Sequence, residues 1–364
     1  MATDTRQAQG IEREGAWLGS WLRLALTPRE RRDVMAAPDV PGDADDAGQR
    51  LLARLEEEGT LPHLLADPSA ARRLANVRGL QAHVKAARES SVAQGLVRAQ
   101  ELRRVLAVLA EAGIAALTFK GPLLAQHIHG DMAARWSTDL DVLVPAEDHP
   151  VAMRLLERAG LEPWIVTHPW MQRIAPRRRS VHLSDARGTN IDLHAGFSSP
   201  SFGLDLPPHV LWGTQRTLTL DGRPTPTLGA EVGLLYLAFH GAKHDWDQGS
   251  AIADVAGSLE ADPALDWTLL RQLARATGTQ RILRVALALA SRGAGVQLPD
   301  DVEAWVARPS SLDGVTTAVL AERLADRHVV PARRERMRRL LTQRERVSDK
   351  VRLLLGRALG RMGG

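Results

Sequence analysis

Nine residues near the middle of the chain, Ser137–Pro145 (STDLDVLVP), constrain the fold more than any other segment. Leu140, Val142 and Val144 alternate with Asp139, Asp141 and Leu143, and a proline closes the run. That is the pattern of a strand with one face polar at its start. Residues i and i+2 of a strand point to the same face, so Asp139 and Asp141 project together. Carboxylates held side by side repel unless they are protonated or neutralised by cations. Asp-x-Asp is common in solvated turns, but an apolar strand carrying adjacent acids toward a core needs a reason that a turn does not.

The flanks supply the context. Gly113 reads as a helix stop, and Ile114–Phe119 is a short apolar run ending in Lys120-Gly121-Pro122. Pro122 suits the first turn of a helix, Leu123–His129. Beyond the acidic strand the pattern predicts a helix over Val151–Ala159, then strands at Pro163–Thr167, Val181–Ser184 and Asn190–His194. Strand, helix, strand, helix and strands make a mixed α/β unit of about 90 residues. Upstream, Ala16–Leu24, Gln49–Glu58, Ala70–Ala87 and Gly95–Ala112 carry helical periodicity, with an exposed Pro/Gly/Asp-rich connector (AAPDVPGDADDAG) between the first two. Downstream, helices are predicted at Glu231–His240, Ala251–Glu260, Trp267–Ala276, Arg281–Ser291, Gly314–Arg327 and Arg334–Arg361. The expected fold is α+β (mixed α/β): a small sheet-and-helix core over 96–200, between helical regions over 1–95 and 201–364.

Composition narrows the function classes. The chain has 364 residues, 44% hydrophobic and 25% charged, which excludes wholesale disorder, a collagen-like fibre and a polytopic membrane protein. No stretch approaches the roughly 18 apolar residues of a membrane span, and the first residues hold no apolar signal core, so the expected setting is the cytoplasm with no membrane partner. There is no cysteine, hence no disulfide, thiolate metal site or cysteine nucleophile. Net charge is only +4, yet Pro331–Gly364 contains ten Arg and one Lys against three acids. The positive charge is therefore local to the tail.

Magnesium answers the need of the acidic strand, because it favours one or two carboxylates together with substrate phosphates. Two such ions, about 3.5–4 Å apart, clamp the attacking and leaving oxygens of a phosphoryl displacement. Asp192, in the later strand Asn190-Ile191-Asp192-Leu193-His194, is placed to complete a metal site and accept the proton of an attacking hydroxyl. Lys120-Gly121 at a strand-to-helix junction suits a phosphate, since glycine allows close backbone approach and the helix N-terminus directs N–H groups at an anion. Lys120 is one of only four lysines in an arginine-rich chain. Arg135, four residues before Asp139, is a phosphate or carboxylate partner by the same logic.

The order Lys-Gly, apolar helix, Arg, Asp-Leu-Asp-Val-Leu-Val and Ile-Asp-Leu-His resembles the nucleotidyltransferases of the DNA polymerase β superfamily. More narrowly it resembles the uncharacterised nucleotidyltransferase family proteins. The resemblance spans roughly Val105 to Asp254. It implies Gly121 as the phosphate-side turn, Asp139 and Asp141 as metal ligands and Asp192 as the third acid. The usual Gly-Ser turn of the superfamily is here Lys120-Gly121-Pro122, with no hydroxyl after the glycine. The resemblance also implies that His194, the His240-Gly241-Ala242-Lys243-His244 helix and Asp254 line the cleft opposite the carboxylates. His240 and His244 share a helix face at a metal-ligand spacing, but without the glutamate of a zincin. Buried histidines bonded to backbone are the structural alternative.

These readings lead to transfer of an NMP from an NTP, with two magnesium ions or manganese, to a hydroxyl or phosphate of a small molecule or peptide, releasing pyrophosphate. Two alternatives rest on the tail. One is a toxin-like transferase acting on tRNA or other RNA; the other is a non-catalytic nucleic-acid adaptor using the Arg-rich last helix. That helix is apolar on its opposite face, as expected of packing on the body, and has no aromatic residue for stacking bases.

Overall fold

The computed structural model describes residues 16–32, 46–163, 180–197 and 203–360. The central sheet contains β1 (Leu117–Thr118), β2 (Leu140–Leu143), β3 (Glu162–Pro163), β4 (Ser180–Ser184) and β5 (Asn190–His194), in spatial order β1-β2-β5-β4-β3. The β2–β5 pair is parallel and the other three pairs are antiparallel. The mixed architecture is the one expected. The predicted strand over 163–167 is represented by Pro163; residues 164–167, and the connector over 36–45, lie outside the described residues.

The period of two in β2 divides its side chains between two packed layers. Leu140, Val142 and Val144 join Ile191 and Leu193 in a buried cluster with Leu102, Val105 and Leu109 of the Gln81–Glu111 helix and with Leu156 of the His149–Arg158 helix. Leu143, on the other face, packs with Phe119, Phe197 and the helices Ala230–Lys243, Gly249–Ala261 and Gln280–Ala294. Asp141 lies on that second face, toward the C-terminal helices. A third cluster, around Trp17, Trp21, Leu51 and Leu64, holds the N-terminal helices together.

Several predicted boundaries change. Ala70–Ala87 is two helices, Pro68–Ala75 and the start of Gln81–Glu111, because the chain turns through Gly79 at φ 79°. The latter helix runs unbroken through Gly95, where a Cβ would come within 3.0 Å of the Ala133 backbone. Arg334–Arg361 is also two helices, Arg333–Thr342 and Val347–Gly360. Residues between them serve other elements. Gln343 accepts from Trp246 Nε1 at 3.1 Å, and Glu345 accepts from the Arg281 backbone N–H at 2.7 Å. Helices at Pro208–Gly213 and Asp300–Val306 and a hairpin of β6 (Arg216–Leu220) with β7 (Arg223–Thr227) were not expected. No described helix is long and apolar enough to cross a membrane.

Candidate active site

The parallel register puts Asp141 directly beside Asp192, and Leu143 beside His194. Residues paired across neighbouring strands share a face, so the Asp141 and Asp192 carboxylates and the His194 ring emerge on one side. Donor atoms of Asp141, Asp192 and His194 all lie within 4.8 Å of one another, the one such trio among the described residues. Asp139 stands outside it. It precedes β2, in a loop where the Ser137 hydroxyl donates to the Asp139 carbonyl and Asn190 Nδ2 donates to the Thr138 carbonyl at 3.2 Å. His194, expected on the cleft wall, thus stands closer to the two paired acids than Asp139 does.

Buried charges here are compensated. Lys120 Nζ is 3.5 Å from Asp141 Oδ2, and His194 Nε2 donates to Asp141 Oδ1 at 3.1 Å. Burial works to raise the Asp141 pKa, but Lys120 and the His194 hydrogen bond outweigh it and hold the carboxyl well below the usual range. The Asp139 pKa is raised, by burial and then by the Asp141 charge, with Lys120 opposing. Asp192 accepts from His182 Nδ1 at 2.8 Å. Asp139 and Asp141, in unlike environments, are pushed apart in acidity.

Lys120 precedes the Gly121–His129 helix and also donates to His240 Nδ1 at 3.3 Å. The His240 pKa lies well below its ordinary value because of burial, Lys120 and His244, so the ring is neutral and its Nδ1 accepts. Gly121 opens the helix at φ 59°, with nothing closer than 3.5 Å to a would-be Cβ. The left-handed backbone, not crowding, calls for glycine there. Arg135 forms its ion pair with Asp254 rather than with Asp139 or Asp141. Its Nε bonds both Asp254 oxygens, at 3.1 and 3.0 Å, and this partner outweighs burial in raising its pKa.

A cleft of about 840 Å³ gathers these groups. Its walls include Lys120, Arg135, Asp139, Asp141, Asp192, His194, His240, Lys243, His244 and Asp254. Gly121 is buried behind Lys120 at the helix start. Desolvation and Lys120 lower the Lys243 pKa. Tyr236, Asp247, Glu56, Glu57 and His328 line the cleft without having been singled out in the sequence. Tyr236 carried a usable signal: it is the single tyrosine of the chain, four residues before His240 on one helix. Its ring lies 5.3 Å from Lys120 Nζ, and burial together with Asp141 raises its pKa well above the ordinary value. Glu56 and His328 had no such signal, since they come from opposite ends of the chain.

The search of curated proteins gives no match. Among solved structures the chain is similar to the antibiotic-resistance factor ANT(2″)-Ia (13% identity, TM-score 0.36, 50% of this chain and 91% of that one). It is similar also to the lincosamide antibiotic adenylyltransferase LnuA with lincomycin bound (14% identity, TM-score 0.28, 38% and 84%). A third is an antigenic nucleotidyltransferase-like protein from Paracoccidioides brasiliensis (16% identity, TM-score 0.33, 59% and 91%). The uncharacterised nucleotidyltransferase family matches residues 45–295, from the N-terminal helices through the cleft to the end of the Gln280–Ala294 helix. That match covers more than half of the chain, which therefore belongs to this family and is a nucleotidyltransferase.

Proposed function

We propose that the cleft transfers an NMP from a magnesium-bound NTP to an oxygen of a small-molecule or peptide acceptor, releasing pyrophosphate. The observation that carries this reading is the β2–β5 register, which sets an ionised Asp141 beside Asp192 on the wall of the cleft. The donor set fits a hard divalent cation. Two carboxylates offer oxygen ligands within reach of one another, with Asp139 immediately ahead of them. Asp141 and Asp192 would hold the cation, with Asp139 as the further acid. Magnesium, when bound there, supplies charge neutralisation for the phosphates of the donor and for the oxygens that change partners.

The chain's own groups do the rest. Lys120, anchored between Asp141 and His240, brings a positive charge to the mouth of the Gly121–His129 helix, where backbone N–H groups favour the triphosphate. Asp192, oriented by His182, accepts the proton of the acceptor hydroxyl as its oxygen attacks the α-phosphorus. The pyrophosphate oxygen departs on the opposite side. Arg135 acts through Asp254, fixing the wall rather than gripping phosphate. In the basic tail Arg339 and Arg344 are buried and so out of reach of RNA, while Arg333, Arg334, Arg338, Arg346 and Arg352 are exposed, and the RNA alternatives rest on these.

Incubation with each α-labelled NTP, magnesium and candidate acceptor pools tests the reading, with Asp141→Asn and Asp192→Asn as controls. The expected result is labelled acceptor with wild type and a loss of at least about 100-fold in either variant. Transfer that persists in both variants with their fold intact would end this mechanism.

A further inference from the structure

The Ala230–Lys243 helix does not end in a relaxed turn. After His244 the chain passes through Asp245 at φ 60° and Trp246 at φ 55°, both left-handed and neither a glycine. Among the described residues the one other non-glycine with positive φ is Asp221, in the Asp221-Gly222 hairpin turn. Two consecutive side-chain-bearing residues in this region are costly, and such backbone persists only where its surroundings over-determine it. The turn carries Lys243, His244, Asp247 and Gln248 along the cleft wall.

The surroundings come from the tail. Arg339 of the Arg333–Thr342 helix is fully buried, 3.3 Å from Asp245 Oδ2, and is held by the Glu322 carboxylate at 3.0 and 3.1 Å. Arg336 Nη2 donates to the His244 carbonyl at 2.9 Å and reaches Asp247 Oδ2 at 3.4 Å. Trp246, 1% exposed, donates its indole N–H to Gln343. Arg323 donates to the Asp247 carbonyl and also pairs with Glu58. Neither Asp245 oxygen accepts a hydrogen bond among the described residues. Burial pushes its pKa up to about 7 against the pull of Arg339. Backbone and electrostatics are therefore both strained at one turn.

We infer that the Arg333–Thr342 helix is a positioning clamp for the ligand-facing wall, with Arg336 and Arg339 holding the 243–247 turn in its left-handed form. In that form Lys243, His244 and Asp247 face the cleft. The strained turn is kept because relaxing it would withdraw those side chains. The basic segment thus acts on the site from behind, through the turn, and its arginines are positioning residues. The ligand side of this inference rests on the nucleotidyl-transfer reading; the clamp itself does not.

Two readouts on the full chain separate the two. Hydrogen exchange of the 242–248 segment is followed in Arg336→Ala, Arg339→Met and Arg339→Met/Asp245→Gly. Calorimetric titration of the same proteins uses magnesium with each of the four NTPs. Arg336→Ala, whose side chain is partly exposed, is expected to keep its thermal midpoint, to exchange the turn roughly tenfold faster, and to bind nucleotide several-fold to tenfold more weakly. Arg339→Met is expected to do the same more strongly. Asp245→Gly in that background should restore much of the protection, because glycine adopts positive φ without strain and the stranded carboxylate is gone. A merely structural arginine would not be rescued by glycine at 245. Unchanged exchange in both single variants, or no rescue, overturns the clamp. Faster exchange with unchanged nucleotide affinity overturns its positioning role. If wild type binds no NTP, the nucleotidyl-transfer reading and the positioning role fall together, while the exchange data still judge the clamp.

Discussion

Gly233 and Gly241 lie on one helix, and replacing each by alanine should move stability in opposite directions. Alanine in a helix interior is favoured over glycine by roughly 1 kcal/mol, since it loses less backbone entropy on folding. At Gly233 nothing lies within 4 Å of a new Cβ, so Gly233→Ala should gain about 0.5–1 kcal/mol. At Gly241 the new Cβ would meet three atoms of the Trp246 ring, none farther than 2.7 Å. That ring cannot step aside cheaply: it is 1% exposed, its indole N–H is bonded to Gln343, and its own backbone is left-handed. Overpacking of this kind costs typically 1–3 kcal/mol, and a ring fixed at both ends belongs at the upper end. Net of the propensity gain, Gly241→Ala should lose about 2 kcal/mol, leaving the variants about 3 kcal/mol apart. Thermal and urea unfolding of both variants beside wild type measure this directly. Equal stabilisation by both alanines would show that Trp246 is not held as described, and the account of the turn would go with it.

The remaining expectations concern charge. Burial tends to raise the Asp262 pKa, but hydrogen bonds from Arg216 and His127 outweigh it and bring it from 3.8 to about 2. Its stabilisation, about 2 kcal/mol from that shift, is fully present above pH 3.8 and is lost as pH falls through about 2. Urea unfolding should therefore show Asp262→Asn weaker than wild type at neutral pH, with the gap closing toward pH 2; a gap constant with pH would contradict the linkage. Arg338 is 67% exposed and Arg339 fully buried. Arg338→Ala should leave the unfolding curve essentially where it is, while Arg339→Met should lose about 3–5 kcal/mol by stranding Glu322 and Asp245. Similar losses in the two unfolding curves would refute that distinction. Lys120→Met should lower kcat/KM for the NTP by roughly 100-fold or more, because a preorganised cation is removed from the cleft wall beside Asp141. An unchanged steady-state profile would remove Lys120 from the triphosphate.

Legibility in the sequence followed the locality of the signal. The acidic strand, Asn190–His194 and the helix after Gly121 could be read because period and punctuation lie within a few residues of each other. The hairpin could not, although Asp221-Gly222 is a strong two-residue turn, because Pro224 and Pro226 disguise its second strand. Most of the candidate cleft was reachable from motifs within 120–254. Pairing of Arg135 with Asp254 was not, since 119 residues separate them. The tail misled in a different way. Arginine on the polar face of a periodic helix reads as solvated, and only the surrounding fold reveals that Arg339 is enclosed with Asp245 and Glu322.

One consequence follows from where the cleft gets its walls. They come from positions as far apart as Glu56 and His328, and the paired acids sit on strands separated by β3 and β4 in the chain. Such distant pairings form late, after long loops have closed. No early fragment emerging during synthesis can therefore present half of this site in working form. A fragment that stops short of His328 lacks part of the cleft wall, and the wall closes only after that segment has packed near Glu56 and Glu57.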